Sequence, residues 1–425
     1  MNILITRGHV IDPANQFDQV ADLAIKDGRI LACGEIPADF KAEKILDASS
    51  QIVCPGLIDL AARLREPGAE HKATIASETR AATAGGITTL CIPPDTRPII
   101  DTPAVSELIH QKAEAAGFAK VVTLGALTRQ LKGEQLAEMV KLQQDGGCVG
   151  VSNAHQPVKN NLIMRRAMEY AASCGLTIFL YADDPGLSGQ GCVHEGSIST
   201  RLGLPGIPES AETVAVAREL MLIEQTSVRA HFCQLSCAHS VQMIARAQHD
   251  GLPVSMDVSA HQLHLTDMDI GYFNSECHLL PPLRTQRDRD ALRKGLGNGN
   301  INAICSDHQP HDADAKLAPF AETEPGISAL ETLLPLSLRL VDDGVLSLPN
   351  LIAKLTTEPA KILGLNRGHL STGADADICI FDPHQHWNVE PEKFISRGKN
   401  SPFARWELKA KVTHTLLNGQ LVYSQ

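Results

Sequence analysis

Eight apolar runs of strand length, separated by segments with a helical pattern, constrain the fold of this chain most strongly. The runs cover residues 56–60, 87–92, 121–126, 148–152, 177–181, 228–233, 253–258 and 301–305. Helical patterns between them include 104–116, 164–174, 211–224 and 288–296. Eight strands alternating with helices predict an α/β fold of the (β/α)8 TIM-like barrel type. A doubly wound open sheet is the alternative, but no glycine-rich phosphate loop follows the first strand.

Both ends of the chain have a different pattern from the middle. Short alternating segments near Ile3–Ile5 and Ile30–Ala32 are separated by turn residues at Asp27-Gly28, and the C-terminus behaves alike around 376–381 and 412–416. We therefore predict a small composite β-sandwich domain from residues 1–53 plus 369–425. The barrel is predicted to occupy 54–368.

Composition excludes several classes of protein. The formal net charge is −11 and basic residues form no cluster, so we expect neither a nucleic-acid nor a membrane partner. The eleven cysteines include no CxxC pair, which indicates reduced thiols and a cytoplasmic location. No signal-like start and no apolar run of about 18 residues is present. No Gly-x-Ser-x-Gly elbow supports serine hydrolase chemistry.

The end of the first predicted strand carries the most specific motif. Residues 55–68 read PGLIDLAARLREPG. This segment resembles amidohydrolases of the dihydroorotase type, in which PGLID-x is followed by His-x-His and then Leu-Arg-Glu-Pro-Gly. The resemblance implies that the two histidines bind a catalytic zinc, and here they are replaced by Ala61 and Arg63. Alanine has no donor atom, and arginine carries a fixed positive charge that repels a cation.

The other strand ends show parallel replacements. By the same resemblance, the acidic ligand after the fourth strand falls on Asn153 or Ala154, and ligand histidines of the fifth and sixth strands fall on Tyr181 and Gln234. The eighth strand differs, because residues 306–311 read SDHQPH, close to the family's Thr-Asp-His-Ala-Pro-His. Asp307 is therefore the single ligand position retained. Since such a metal needs about three protein ligands, we expect no metal, no cofactor and no catalytic residue, with Asp307 as a vestige.

The resemblance also defines a vestigial substrate pocket. The family holds its substrate's carboxylate with an arginine and an asparagine, and these positions are Arg65 and Asp95. His311 would help to hold the substrate. We expect the carboxylate of Asp95 to pair with Arg65 and to repel an anionic substrate.

Other titratable residues suggest sites less strongly. His155, His231, His261, His308 and His311 lie near strand ends and could in principle rebuild a metal site; we expect instead hydrogen-bonded or half-exposed histidines. The acidic residues 183–184 and 312–314 are expected to be loop residues and helix caps.

The preserved framework and the missing ligands together indicate a retained scaffold. The chain resembles inactive dihydroorotase-like chains that some bacteria need to assemble aspartate carbamoyltransferase in pyrimidine biosynthesis. This resemblance implies a non-catalytic subunit in a large hetero-oligomer with the catalytic transferase chain. Two alternatives stay open: a divergent cyclic-amide hydrolase of the dihydroorotase or hydantoinase type with a rebuilt mono-metal site, and a metal-free protein that binds a small acid through Arg65 and His311.

Overall fold

The N-terminal segment forms five strands that belong to a sheet outside the barrel. The computed structural model describes residues 2–425. The strands are β1 (Asn2–Asp12), β2 (Phe17–Lys26), β3 (Arg29–Cys33), β4 (Lys44–Asp47) and β5 (Ile52–Pro55). β1 pairs antiparallel with β2 and parallel with β4 and β5.

Ten further strands follow, and eight of them form the barrel. In chain order they are β6 (Leu57–Asp59), β7 (Ile87–Ile92), β8 (Lys120–Ala126), β9 (Gly150–Ser152), β10 (Thr177–Tyr181), β11 (Val193–His194), β12 (Gly206–Ile207), β13 (Ala230–Cys233), β14 (Val254–Ser259) and β15 (Ala303–Cys305). The barrel order is β6-β7-β8-β9-β10-β13-β14-β15, all parallel, while β11 and β12 pair separately.

The barrel is closed only at the carboxyl ends of its first and last strands. A parallel bridge joins Ala62 to His308. The Arg63 N–H donates to the His308 carbonyl at 2.8 Å, and the His308 N–H donates to the Ala61 carbonyl at 3.1 Å. This closure places the segment after β6 directly beside the segment after β15.

Twelve α-helices surround or follow the barrel strands. They are α1 (Ile75–Ala84), α2 (Pro103–Ala116), α3 (Met139–Gln144), α4 (Asn161–Ser173), α5 (Pro185–Ser188), α6 (Ser197–Leu202), α7 (Glu209–Thr226), α8 (Ala238–His249), α9 (Gln286–Gly297), α10 (Leu333–Asp342), α11 (Leu348–Leu355) and α12 (Thr357–Leu363). Local chemistry sets their ends: Thr74 and Ser77 form a capping box at α1, Asn160 caps α4, and α2 stops at Gly117, whose φ of 70° suits glycine.

The C-terminal segment returns to the first sheet. β16 (Ile378–Asn388), β17 (Glu407–Leu417) and β18 (Gln420–Ser424) extend it to the order β18-β17-β16-β5-β1-β2-β3, with β4 on β1. A core that includes Ile3, Leu23, Ile378 and Leu416 packs this domain. In the barrel, Ile58, Leu124, Phe179 and Ala303 join strands across the lumen, which is therefore a packed core.

The observed architecture confirms the predicted fold class. The barrel strands lie within about three residues of the predicted runs, because short apolar runs between turn residues have few alternatives. A sheet built from both termini is present as expected, and the exact domain boundaries stay a prediction. Among the residues described, no helix has the length and apolar character needed to cross a bilayer.

Candidate functional site

Four residues at the carboxyl ends of the barrel strands have a left-handed backbone. Arg65, Ala154, Gln234 and Asp307 have φ of 63°, 47°, 48° and 49°, respectively. Such conformations are unfavourable for residues other than glycine and concentrate at functional sites. All four are positions for which the resemblance described above predicts ligand or substrate binding.

Arg63 places a cation in the mouth of the barrel. Its Nε donates to Asp95 Oδ2 at 2.9 Å, and its Nη1 lies 3.5 Å from Asp307 Oδ1. Burial lowers the pKa of Arg63, but the two carboxylates outweigh it and raise the pKa above its usual value. Burial likewise raises the pKa of Asp95, yet Arg63 holds it below its ordinary range. The guanidinium therefore stays charged and offsets the negative charge of the two carboxylates.

Burial is the main influence on the pKa of Asp307. Only 3% of its side chain is exposed, and burial raises its pKa to about 7 although Arg63 lowers it. Its Oδ1 also accepts from the Gln309 amide at 3.1 Å. The residue thus has polar partners within the protein, as expected for a structural carboxylate.

The other aligned positions surround a small cavity of about 30 Å³ below Arg63. Its lining includes Ala61, Ala154, Tyr181 and Gln234. Asn153 instead braces the neighbouring loop: its amide oxygen accepts from Thr128, and its amide nitrogen donates to two backbone carbonyls. Of the two alternatives for the acidic ligand position, Ala154 is the one that lines this cavity.

His155 lines the same cavity and is partly exposed, which agrees with our expectation of a hydrogen-bonded or half-exposed histidine. Its ring stacks on Tyr181 with centroids 4.0 Å apart, and its Nε2 is buried without a hydrogen-bond partner. Burial, together with the nearby charge of Arg63, lowers the pKa of His155 to about 3. The ring is therefore neutral at physiological pH.

The expected pairing of Asp95 with Arg65 is wrong. Arg65 donates to the Pro310 carbonyl at 2.9 Å and lies 3.0 Å from His311 Nε2. Arg63 takes the carboxylate because its side chain lies between Asp95 and Asp307, whereas Arg65 is drawn to the loop after β15. Asp95, Arg63 and Arg65 nevertheless line one cavity of about 380 Å³.

His311 is held in its neutral form in that region. Burial, Arg65 and Lys72 lower its pKa to about 3. Lys72 Nζ lies 3.1 Å from His311 Nδ1 and 2.5 Å from Glu324 Oε2. Arg65 and His311 therefore do come together as predicted, but each already has partners within the protein.

The remaining histidines have structural contacts. His308 is fully buried, with Nε2 2.9 Å from Glu78 and Nδ1 accepting from the Ala329 N–H. His261 has one partner, Ser259, and its Nδ1 has none. Asp184 caps α5 by accepting from two backbone N–H groups, and Asp183 accepts from Ser188, so this pair has the predicted loop and cap roles.

His231 belongs to a cluster that the sequence did not indicate. Ligand atoms of His231, Cys233 and Asp257 all lie within 4.8 Å of one another. A signal was present in the sequence, because the two-residue spacing of His231 and Cys233 places both side chains on one face of β13. Asp257 could not be found in this way, since it joins them only through the register between β13 and β14. His231 Nε2 lies within hydrogen-bond distance of Asp257 Oδ2, at 3.0 Å, and His231 Nδ1 lies 2.8 Å from Ser255 Oγ. Asp257 also accepts from the Gln234 N–H at 2.6 Å, so the cluster is internally hydrogen-bonded.

The residues at the strand ends do not fit the zinc that the resemblance implies. Zinc is held by cysteine, histidine and carboxylate ligands. Among the aligned positions only Asp307 offers one, and the Arg63 guanidinium lies 3.5 Å from it. The donor set and the local charge therefore both disfavour a divalent cation here.

The fold defines the class of the protein as a (β/α)8 barrel with an accessory sheet built from both termini. L-hydantoinase (dihydropyrimidinase) from Arthrobacter aurescens has a similar fold, with a TM-score of 0.89 at 24% identity, covering 99% of this chain and 96% of that chain. Dihydropyrimidinase from Brevibacillus agri NCHU1002 has a TM-score of 0.87 at 20% identity, covering 100% and 95%.

Sequence comparison narrows this class to a family. The dihydro-orotase-like family model matches residues 50–240, and an amidohydrolase family model matches 327–423. A dihydroorotase-like protein of Pseudomonas aeruginosa is 52% identical over 423 residues, covering all of both chains. A dihydroorotase of Geobacter sp. (strain M21) is 42% identical, covering 100% of this chain and 99% of that one. The chain belongs to the dihydroorotase-like family of amidohydrolases.

Proposed function

We propose that this protein is a non-catalytic member of the family, kept as a structural subunit that assembles aspartate carbamoyltransferase for pyrimidine biosynthesis in the cytoplasm. The observation that carries the first half is the position of Arg63, whose guanidinium lies between Asp95 and Asp307 at the closed end of the barrel. A metal-dependent hydrolase needs a metal with an open coordination position at such a site, so that it can generate a nucleophilic hydroxide. A fixed organic cation supplies no such nucleophile.

The second half of the proposal follows from the resemblance to assembly chains and from what has been preserved. The barrel, its composite sheet and the strained strand-end backbone remain, whereas the positions for metal ligands have changed together. A scaffold that binds only the assembled form of a partner stabilises that form by mass action. This effect needs a folded surface and no chemistry.

Co-expression with the catalytic chain of aspartate carbamoyltransferase from the same organism tests the assembly role. We expect the two chains to elute together in size-exclusion chromatography, and transferase activity to depend on this chain. Separate elution, with full transferase activity in its absence, would contradict the proposal. Assays with dihydroorotate and hydantoins, with added zinc, manganese or cobalt, test the lack of catalysis, and we expect no turnover.

A divergent cyclic-amide hydrolase is the second candidate, because His231, Cys233 and Asp257 form a group that could bind one metal ion. In that case the purified protein would contain near-stoichiometric metal, and Cys233→Ser would remove both the metal and the turnover. Cys237→Ser, which changes a buried thiol outside the cluster, is the matched control. Metal-independent assembly without turnover favours the structural subunit.

A further inference from the structure

Two loops at the mouth of the barrel present large apolar side chains to solvent. Met268, Tyr272 and Phe273 follow β14, and Leu317 follows β15; their exposed fractions are 62%, 98%, 48% and 78%. Single exposed apolar residues are ordinary, but several in adjoining loops indicate an interaction surface. We refer to these four residues as the aromatic tip.

The loop after β14 is rigidly anchored beneath its exposed side chains. The Asp269 carboxylate accepts from the Thr266 N–H at 2.7 Å, and the Asp269 carbonyl accepts from the Cys277 thiol at 3.4 Å. The Asn274 N–H donates to the Ile270 carbonyl at 2.9 Å. A preorganised loop loses little conformational entropy when it binds.

The loop after β15 packs against the same base. Lys316 Nζ donates to the His278 carbonyl at 3.3 Å, and Thr323 Oγ1 lies 2.8 Å from His278 Nδ1. The ring of Phe320 stacks on that of His278 with centroids 5.1 Å apart. These contacts join the bases of the two loops, so the segment that carries Leu317 packs beside the segment that follows Tyr272.

The backbone of Phe273 is held in a conformation that aromatic residues rarely adopt. Its φ is 62°, in the left-handed region. A residue in this region costs free energy that the surrounding structure must supply, and such strain collects at binding sites. Here it turns an aromatic ring outward at the tip of the loop.

The exposed charged residues of the two loop segments are acidic. Within 267–276 and 312–324 the charged residues are acidic, with the exception of Lys316, which is buried and donates to backbone carbonyls. Asp269, Asp314 and Glu322 are exposed. Because such a rim repels nucleic acid, anionic lipid and a second copy of the same surface, it favours a basic protein partner.

We propose that the aromatic tip is the docking surface for a folded protein that presents an apolar recess rimmed by lysine and arginine. The inference rests on the proposed function, in which that partner is the catalytic chain of aspartate carbamoyltransferase. Tyr272 and Phe273 enter the recess, and the acidic rim pairs with the basic one. Buried aromatic anchors of this kind dominate the affinity of protein interfaces.

A double variant, Tyr272→Ser with Phe273→Asn, tests the inference. Asparagine tolerates the left-handed backbone better than other non-glycine residues, so the loop should keep its shape. The matched control is Val20→Ser, which removes a side chain that is 70% exposed on β2, far along the chain from either loop. Thermal unfolding checks that both variants are folded, and affinity for the transferase chain is measured by titration calorimetry.

We expect the double variant to bind roughly 30-fold more weakly or worse and the control to bind like wild type. Affinity of the wild type should also fall as salt is raised, since charge pairing is screened. If wild type, double variant and control all bind equally, the docking surface lies elsewhere and the inference is overturned, while the assembly role stands. If wild type itself does not bind, the proposed function fails and the inference fails with it.

Discussion

The Arg63 guanidinium donates to the Asp95 carboxylate at 2.9 Å within the mouth of the barrel. Asp307 completes the group at 3.5 Å. The Arg63 side chain thus provides the counter-charge for both carboxylates. The stability of the site therefore depends on the charge of the Arg63 side chain.

Removal of the Arg63 charge should destabilise the protein. In Arg63→Ala, Asp95 and Asp307 lose their shared counter-charge in a largely buried site, and breaking a buried pair in this way costs about 3 kcal/mol. Chemical denaturation measures the change in the free energy of unfolding. Arg7→Ala breaks an exposed pair with Asp47, which solvent screens, and should cost much less. Equal losses in the two variants would contradict a buried, compensating role for Arg63.

Metal removal should have no effect on folding or assembly. Because the His231 group is internally hydrogen-bonded and the strand-end positions lack ligands, incubation with a chelator should leave the melting temperature unchanged. Metal analysis of protein purified without chelator should show substoichiometric zinc. A lower melting temperature after chelation, restored by zinc and absent in Cys233→Ser, would show instead that the cluster binds a metal.

His155 should make the protein sensitive to mild acid. Its pKa is lowered to about 3 in the folded state, below its unfolded value of about 6.5. Stability from the neutral ring is therefore full above pH 6.5 and is lost as pH falls toward 3, because only the unfolded chain binds the proton. Because protonation is linked to unfolding, the free energy of unfolding should fall by roughly 1–2 kcal/mol between pH 7 and pH 5.

The variant His155→Phe isolates this effect, because it keeps a ring to stack on Tyr181 and cannot titrate. Its melting temperature should fall less than that of wild type between pH 7 and pH 5. His369→Phe changes a partly exposed histidine whose ring lies near Asn366 and serves as the control. A wild-type profile unchanged by His155→Phe would assign the acid sensitivity to other groups.

Neutralising Asp95 should increase the affinity for small carboxylic acids of the cavity of about 380 Å³ that Arg63 and Arg65 line. Asp95 lines this cavity together with Arg65, so Asp95→Asn removes a repulsive charge and frees Arg63 in part. We expect wild type to bind dihydroorotate weakly, and Asp95→Asn to bind it at least about tenfold more tightly. Calorimetry measures both, and Arg65→Ala in the Asp95→Asn background should abolish the gain. Micromolar binding by wild type would refute the repulsion.

Much of the fold could be predicted from the sequence, because its signals are local. Strand-length runs such as 87–92 and 177–181 correspond to β7 and β10 almost residue for residue. Asp184 could be recognised as a loop or cap residue, since a helix cap is decided within a few residues. That Ala61 and Gln234 occupy replaced ligand positions stays a prediction from the motifs that flank them.

Partners across the barrel could not be predicted in the same way. The sequence placed Arg63, Arg65, Asp95 and Asp307 at strand ends, but the direction of each side chain decided that Arg63 and not Arg65 takes Asp95. Register between β13 and β14 brought Asp257 to His231. By itself the sequence determined which chemical groups reach the mouth of the barrel. Tertiary structure alone decided which groups pair, because charge pairing and desolvation depend on distances of a few ångströms between residues far apart in the chain.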